Sequence, residues 1–433
     1  MKIGIIADDL TGANDTGVKL AQKGIKTSVV FQLNMETTRN LDSIVYDTDT
    51  RYSEPQVAFE KVKQASLFLK ENGFDIIYKK IDSTIRGNVG YELDAMYEVF
   101  KPDFIIIAPG YPSSGRVLKE GQIYLHGNRL DHSDYAESPT DKAFDYDLVQ
   151  KLKRQSKYKS ALFTNQELDE EIFHRLDARF KEQVPYLIFD SVEESDLKKI
   201  VEYISRSKYN VVWVGSSGLI NYLPEGYHLE TKSEQTLSIS GNDNLPALTV
   251  IGSFNDVTIK QLSRLLQEPN SQGFKIDVPR LLENRVEKEN EINRIVVESQ
   301  KKAEEGFNIV IYASSDKTEV FQALEQGKSA GKNATEICSE IADALGAITQ
   351  QLTGKKPFSG IVMTGGDTAK EVCKHLDAKG IELIDELSPV IPIGKIIGNQ
   401  NIYTITKGGS IGDEQSLVSS VEFLRGNKTM NIT

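Results

Sequence analysis

Ala7-Asp8-Asp9-Leu10-Thr11-Gly12-Ala13-Asn14-Asp15-Thr16-Gly17 stands between an apolar run, Ile3-Gly4-Ile5-Ile6, and the segment Val18-Lys19-Leu20-Ala21-Gln22-Lys23-Gly24. The first flank reads as a buried strand. The second reads as a helix stopped by glycine. Three carboxylates, two threonine hydroxyls and two glycines therefore lie at the carboxyl end of a strand, where a helix begins. Open α/β sheets bind their ligands at such a place. Asp8 beside Asp9 is costly there, because adjacent carboxylates repel unless a cation or a hydroxyl-rich ligand uses them.

The bulk properties bound the answer. The 433 residues suffice for two or three domains, and the apolar (39%) and charged (26%) fractions are those of an ordinary globular protein. A formal net charge of −12 weighs against nucleic acid or an anionic membrane as the main partner. It leaves room for a small anionic substrate held by a few local cations. No stretch approaches the roughly 20 apolar residues of a membrane span, and the chain opens on a strand rather than a secretory segment. Cys338 and Cys373 have no CxxC partner and read as small, packed thiols. The five histidines, His126, His132, His174, His228 and His375, show no zinc-ligand spacing. These features make the cytoplasm the expected compartment.

Short β-branched runs alternate with amphipathic segments. Strands are expected at 2–7, 27–32, 43–46, 75–79, 104–108, 160–163, 186–189 and 210–214, with helices at 55–72, 90–100, 166–182 and 193–207. The polar stretch 223–246 reads as a linker. The pattern restarts with a strand at 247–253, a helix at 256–267, a strand at 274–277, a charged helix at 286–305 and a strand at 307–313. It continues with a helix at 333–352, strands at 359–363, 381–385 and 401–406, and helices at 367–376 and 413–424. The expected fold class is α/β: two domains, 1–225 and 245–433, each a mainly parallel sheet flanked by helices, with an interdomain active-site cleft.

Several strand-end turns carry chemistry. Tyr78-Lys79-Lys80-Ile81-Asp82-Ser83-Thr84-Ile85-Arg86-Gly87-Asn88 supplies cations, a carboxylate, hydroxyls and an amide. Lys80 and Arg86 could hold a carboxylate, and Asp82 could accept a proton or a sugar hydroxyl. Capping alone would need just one of them. Asp47-Thr48-Asp49-Thr50-Arg51 ends the third strand, with Arg51 placed for an anionic group. Ala108-Pro109-Gly110-Tyr111-Pro112-Ser113-Ser114-Gly115-Arg116 is either a loop or another pocket wall. Val214-Gly215-Ser216-Ser217-Gly218-Leu219 is either a cap or a cleft wall. In the second half, Ile251-Gly252-Ser253, Thr364-Gly365-Gly366-Asp367-Thr368 and Thr406-Lys407-Gly408-Gly409-Ser410 each end a strand. The latter two open helices, as a phosphate cradle would. No Walker A motif and no GxGxxG fingerprint is present.

Taken in order, ADDLTGANDTG (7–17), DTDTR (47–51), YKKIDSTIRGNVG (78–90), APGYPSSGR (108–116), Gly252-Ser253, TGGDTA (364–369) and TKGGSIGD (406–413) resemble the four-carbon acid sugar kinases. The last motif departs from the commoner serine-glycine-glycine-phenylalanine-glycine form at Gly408, Ser410 and Ile411. The resemblance implies an N-terminal sugar-acid-binding domain and a C-terminal ATP-binding domain. By motif, substrate binding falls to Asp9, Arg51, Lys80, Ile81, Asp82 and Ser83. ATP binding falls to Ser253, Thr364, Gly365, Gly366, Asp367, Thr368 and Gly409.

The resulting expectation is ATP- and Mg2+-dependent phosphorylation of the terminal (C4) hydroxyl of threonate, erythronate or 3-oxo-tetronate. Asp9 or Asp82 would orient the hydroxyl and take its proton. Asp9 is expected to touch substrate, while Asp8 and Asp15 support the turn or help to hold Mg2+. Neither nucleic acid nor membrane is an expected partner, and a homodimer is allowed. The alternative is a non-catalytic sugar-acid-binding sensor, which would not need two phosphate-type glycine turns. An NAD-linked oxidoreductase is disfavoured by the missing dinucleotide fingerprint.

Overall fold

A computed structural model describes residues 1–34, 38, 40–130, 146–230, 245–314, 316, 318–319, 331–398 and 402–426. The chain divides into two compact units, Met1–Ser233 and Glu234–Thr433.

The first unit is built on eight parallel strands: β1 (Ile3–Ala7), β2 (Thr27–Val30), β3 (Ser43–Asp47), β4 (Ile76–Lys80), β5 (Phe104–Ala108), β9 (Ser160–Phe163), β10 (Tyr186–Phe189) and β11 (Val211–Gly215). Their spatial order is β2-β3-β1-β4-β11-β5-β10-β9. The chain leaves β1 to one side for β2 and β3, then returns to the other side for β4, which makes the end of β1 a topological switch point. A small antiparallel sheet, β6 (Arg116–Lys119), β7 (Gln122–Leu125) and β8 (Asn128–Arg129), follows β5.

The helices of this unit are α1 (Leu10–Gln22), α2 (Pro55–Glu71), α3 (Val89–Phe100), α4 (Leu148–Gln155), α5 (Ile172–Lys181), α6 (Glu194–Ser205) and the short α7 (Leu223–Gly226). Helix α2 shows why such segments fold as they do. Pro55 opens it, Ala58, Val62, Ala65 and Leu69 recur on one buried face, and Gly73 in the left-handed region (φ 67°) follows its end. Val62, Ala65 and Leu69 of that face join Ile6, Ile44, Ile77 and Leu93 in one apolar core.

The second unit has the order β13-β14-β12-β15-β18-β17-β16, from β12 (Leu248–Ile251), β13 (Ser271–Lys275), β14 (Asn308–Tyr312), β15 (Ile361–Thr364), β16 (Gly380–Ser388), β17 (Ile391–Ile397) and β18 (Tyr403–Lys407). Strands β13, β14, β12, β15 and β18 are parallel, and β17 runs antiparallel to both neighbours. Its helices are α8 (Asp256–Leu265), α9 (Val278–Glu283), α10 (Arg285–Glu304), α11 (Ala334–Lys355), α12 (Gly366–His375) and α13 (Ser416–Leu424). Both units thus have the expected α/β architecture.

Some boundaries differ from the sequence expectation. The helix expected over 166–182 is a 3-10 turn, Asn165–Glu167, followed by α5, because Thr164 and Glu167 close a capping box on the turn itself. The strand at 274–277 lies at Ser271–Lys275, and Asp277 caps α9. Strand β17 was not foreseen in the sequence. In the sheet Pro392 lies beside a register irregularity between Glu386 and Ser388, a position that tolerates proline. Of the expected linker 223–246, residues 223–226 form α7, and 231–244 lie outside the described residues. No described helix is long and apolar enough to cross a membrane.

One ion pair is sealed in the first unit. Lys79 on β4 contacts Glu92 on α3 at 2.8 Å, with side chains 0% and 2% exposed. Burial raises the Glu92 carboxyl above its ordinary range although Lys79 opposes the shift. Substituting Lys79→Met leaves Glu92 buried without its cation and should cost about 3–5 kcal/mol in chemical denaturation, with Lys79→Met/Glu92→Leu recovering part of it.

Candidate active site

The strand ends β3, β1 and β4 converge because Ala7 is the register partner of both Asp47 and Lys80. Asp9 caps α1 by accepting the Gly12 N–H at 2.8 Å. The cation that the Asp8–Asp9 pair requires comes from the chain itself. Arg51 Nε and Nη2 donate to the two Asp8 oxygens at 2.8 and 2.9 Å, and Nη1 donates to Asp9 Oδ2 at 2.6 Å. A fork on a carboxylate is the geometry that favours arginine over lysine. Arg51 Nη2 also stands 3.9 Å from Asp82 Oδ1.

The 78–90 cluster folds into a turn around Asp82. Arg86 holds it through Nε at 2.8 Å and Nη2 at 2.9 Å, and the Thr84 hydroxyl donates to the same carboxylate. Burial would raise the Asp82 carboxyl, but Arg51 and Arg86 outweigh it and hold the group well below the usual carboxylate range. Burial opposes Arg51 in the same way at Asp8, whose carboxyl is also lowered. Ile81 is 1% exposed and packs in the core, so only its backbone can meet a ligand. Ser83 is half-buried at the start of the turn.

Lys80 differs from its neighbours. Its ammonium donates to the Ile81 carbonyl at 2.9 Å, which uses one of its three N–H groups among the described residues. It also lies 2.7 Å from where a Cβ on Gly12 would sit, and Asp9 Oδ1 lies 2.6 Å from the same point. Any larger residue at 12 would push the two groups apart.

Sequence reasoning overlooked the layer beneath. The Thr50 hydroxyl donates to Glu92 at 2.5 Å and lies 2.7 Å from the Thr48 hydroxyl, which donates to the Ala7 carbonyl at 2.8 Å. The Asn88 amide donates to the carbonyls of Thr50 and Ser53. These contacts fix the backbone that presents Arg51. A charged residue inside a fully buried strand, Lys79, was the available signal. The Ser217 hydroxyl donates to Asp15 and lies 3.2 Å from the Thr16 hydroxyl, so the 214–219 turn packs on α1 and Asp15 braces it. Arg116 begins β6 and donates to the Ser114 carbonyl, within its own turn.

In the second unit, Ser253, Gly365 and Gly409 follow the ends of β12, β15 and β18, which are adjacent in the sheet. The turns are stitched together. The Gly365 N–H donates to the Lys407 carbonyl at 3.0 Å, and the Thr258 hydroxyl donates to the Gly409 carbonyl at 2.7 Å. Gln261 donates to the carbonyls of Ile411 and Asp413 at 3.0 and 2.7 Å. Gly365 has φ 103°, a backbone state that suits glycine, and caps α12. A Cβ on Gly409 would collide with Ser253, and one on Gly252 with Thr368. Gly366 and exposed Asp367 begin α12, where backbone N–H groups lack helical partners. Beside Gly252 opens a cavity of about 400 Å³, walled by Ile276, Val278, Ala313, Ile337, Cys338 and Ile341 among others.

Comparison with known proteins places the chain. Residues 3–223 match the family model described as a sugar-binding N-terminal domain, and residues 248–417 match that of a nucleotide-binding C-terminal domain. The chain belongs to the four-carbon acid sugar kinase family. A D-threonate kinase of Salmonella typhimurium (strain LT2) is 27% identical over 98% of each chain. A D-erythronate kinase of Heliobacterium modesticaldum is 29% identical over 97% of this chain and 96% of its own. The solved structure of Haemophilus influenzae protein HI1011 has a TM-score of 0.76 at 22% identity, covering 98% of this chain and 99% of the other, which shows a shared fold. As a member of this kinase family the chain is a phosphotransferase, and the sensor alternative falls.

The lowered carboxyls carry a pH signature. Their folded pKa values lie below the unfolded ones, so the stability they supply is present above the unfolded value of about 3.9 and is lost as pH falls through it towards the folded value. Denaturation midpoints should decline as pH drops from about 5 to 2, and Asp82→Asn should flatten that decline. A slope unchanged in Asp82→Asn would contradict the assignment.

Proposed function

We propose that the protein transfers the terminal phosphoryl group of ATP to the C4 hydroxyl of a four-carbon sugar acid, such as threonate, erythronate or the 3-oxo acid. The N-terminal unit would bind the acid and the C-terminal unit the nucleotide. The observation that carries this reading is Lys80. In a cluster where Asp8, Asp9, Asp82 and Glu92 meet Arg51, Lys79, Lys80 and Arg86, Lys80 keeps N–H groups for a further anion, beside an aspartate that lines the same turn.

In this reading the substrate carboxylate meets Lys80 and the Nη face of Arg51, with Ser83 and the backbone at Ile81 completing its cradle. Asp9 is the better proton acceptor. Its side chain is 25% exposed and each oxygen accepts one hydrogen bond, from the Gly12 N–H and from Arg51, whereas Asp82 takes the two-pronged fork of Arg86 and the Thr84 hydroxyl and is held well below the usual carboxylate range. Asp82 then orders the turn and orients hydroxyls. The turns at Ser253, at Thr364 to Thr368 and at Gly409 fit phosphates through backbone N–H groups, and the neighbouring cavity fits a nucleoside. Mg2+ bound with the nucleotide would neutralise phosphate charge.

The direct test is ATP- and Mg2+-dependent phosphorylation across D- and L-threonate, D- and L-erythronate and 3-oxo-tetronates. Turnover on at least one is expected, and none from folded protein would sink the substrate class. Asp9→Asn should lower kcat by about 10²–10⁴-fold with the fold retained. A near-normal kcat in that variant would remove Asp9 as the base.

A further inference from the structure

Lys407 ends β18 and is 4% exposed, yet its ammonium has no hydrogen-bond partner among the described residues. The equally buried Lys79 has Glu92, and Lys80 has the Ile81 carbonyl. Burial pulls the Lys407 ammonium down to about 8. A lysine withdrawn from water with nothing to pair with is expensive to keep.

Its surroundings indicate what it waits for. Lys407 is the register partner of Thr364 in the parallel β15–β18 ladder, so the two side chains project to the same face of the sheet. The Thr364 hydroxyl is also buried and also without a partner among the described residues. Each residue is followed at once by glycine: Gly365-Gly366 after Thr364, and Gly408-Gly409 after Lys407. The Lys407 carbonyl is what the Gly365 N–H bonds, so the two turns are fastened together at this lysine. An ammonium, a hydroxyl and the first amides of α12 are three donors of the kind that surround phosphate oxygens.

We propose that Lys407, with Thr364 beside it, is the fixed cation of the second unit's phosphate site and pairs with a phosphate oxygen of a bound nucleoside polyphosphate. This deepens the nucleotide reading above and rests on it. It assigns a charge to a cradle otherwise made of backbone amides and glycines. It also gives a reason for keeping a lysine where an apolar residue would pack at less cost.

Calorimetric titration of the full chain with ADP and, separately, with adenosine tests this. Lys407→Met should lose about 10- to 100-fold in ADP affinity. Adenosine affinity should change less than about twofold, because adenosine carries no phosphate to pair with an ammonium. Lys407→Arg should recover part of the loss, and Thr364→Val should weaken ADP several-fold. The melting temperature of unliganded Lys407→Met should stay the same or rise, since an unpaired buried charge has gone. Unchanged ADP affinity in Lys407→Met or in Thr364→Val overturns the proposal. So does an equal loss of ADP and adenosine, or failure of Lys407→Met to fold, since either would make the lysine a structural member. If the unsubstituted protein binds neither ADP nor ATP, the nucleotide reading itself fails, a result distinct from these.

Discussion

The fork of Arg51 on Asp8 is the contact on which the first unit's strand ends depend. It ties the end of β3 to the end of β1, and through Asp9 and Asp82 it reaches the cap of α1 and the turn after β4. With the Arg51 side chain 10% exposed and Asp8 at 4%, solvent can do little to replace either partner. Removing one member of such a buried set leaves an uncompensated charge, a loss of about 3–5 kcal/mol, whereas solvent screens exposed pairs such as Arg175–Asp169. The hydroxyls of Thr48 and Thr50, and the Lys79–Glu92 pair below them, matter because they hold the backbone from which this one arginine reaches.

The two units handle charge in opposite ways. At the ends of β1, β3 and β4 the cations and carboxylates largely satisfy each other, so an incoming acid must share Arg51 with Asp8 and Asp9 while Lys80 offers donors without such competition. At the ends of β12, β15 and β18 the turns are bound together through their carbonyls, by Thr258, Gln261 and the Gly365 amide. Apart from the Gly365 amide, this fastening spends no backbone N–H of the glycine turns, since Thr258 and Gln261 donate from their side chains. The first arrangement suits selection of a small hydroxy acid by shape and hydrogen bonding. The second suits a highly charged group that brings its own acceptors.

Much of this was legible in the chain. The apolar runs and their alternation with amphipathic segments announce parallel sheets, because strands covered on both faces must be apolar throughout. The errors came where local chemistry overrode periodicity. The Thr164–Glu167 capping box splits one expected helix, and the bulged β16–β17 hairpin absorbs Pro392. Asp8 beside Asp9 was read as a pair in need of a cation or a hydroxyl-rich ligand, and the fold supplies a cation, Arg51. That source was not legible, because Arg51 is 42 or more residues away and only the β1–β3 register brings it near.

By itself the sequence determined the α/β class, the strand-end turns and the family, since each of these follows from local pattern or from contiguous motifs. Tertiary structure decided which charges are already answered. Among the described residues, Arg51 and Arg86 are occupied by carboxylates, Lys79 is sealed against Glu92, Lys80 retains donors, and Lys407 is buried with no partner. All five residues are cations at or near strand ends and look alike in one dimension. Pairing depends on distance and burial, and those are set by register between strands far apart in the chain.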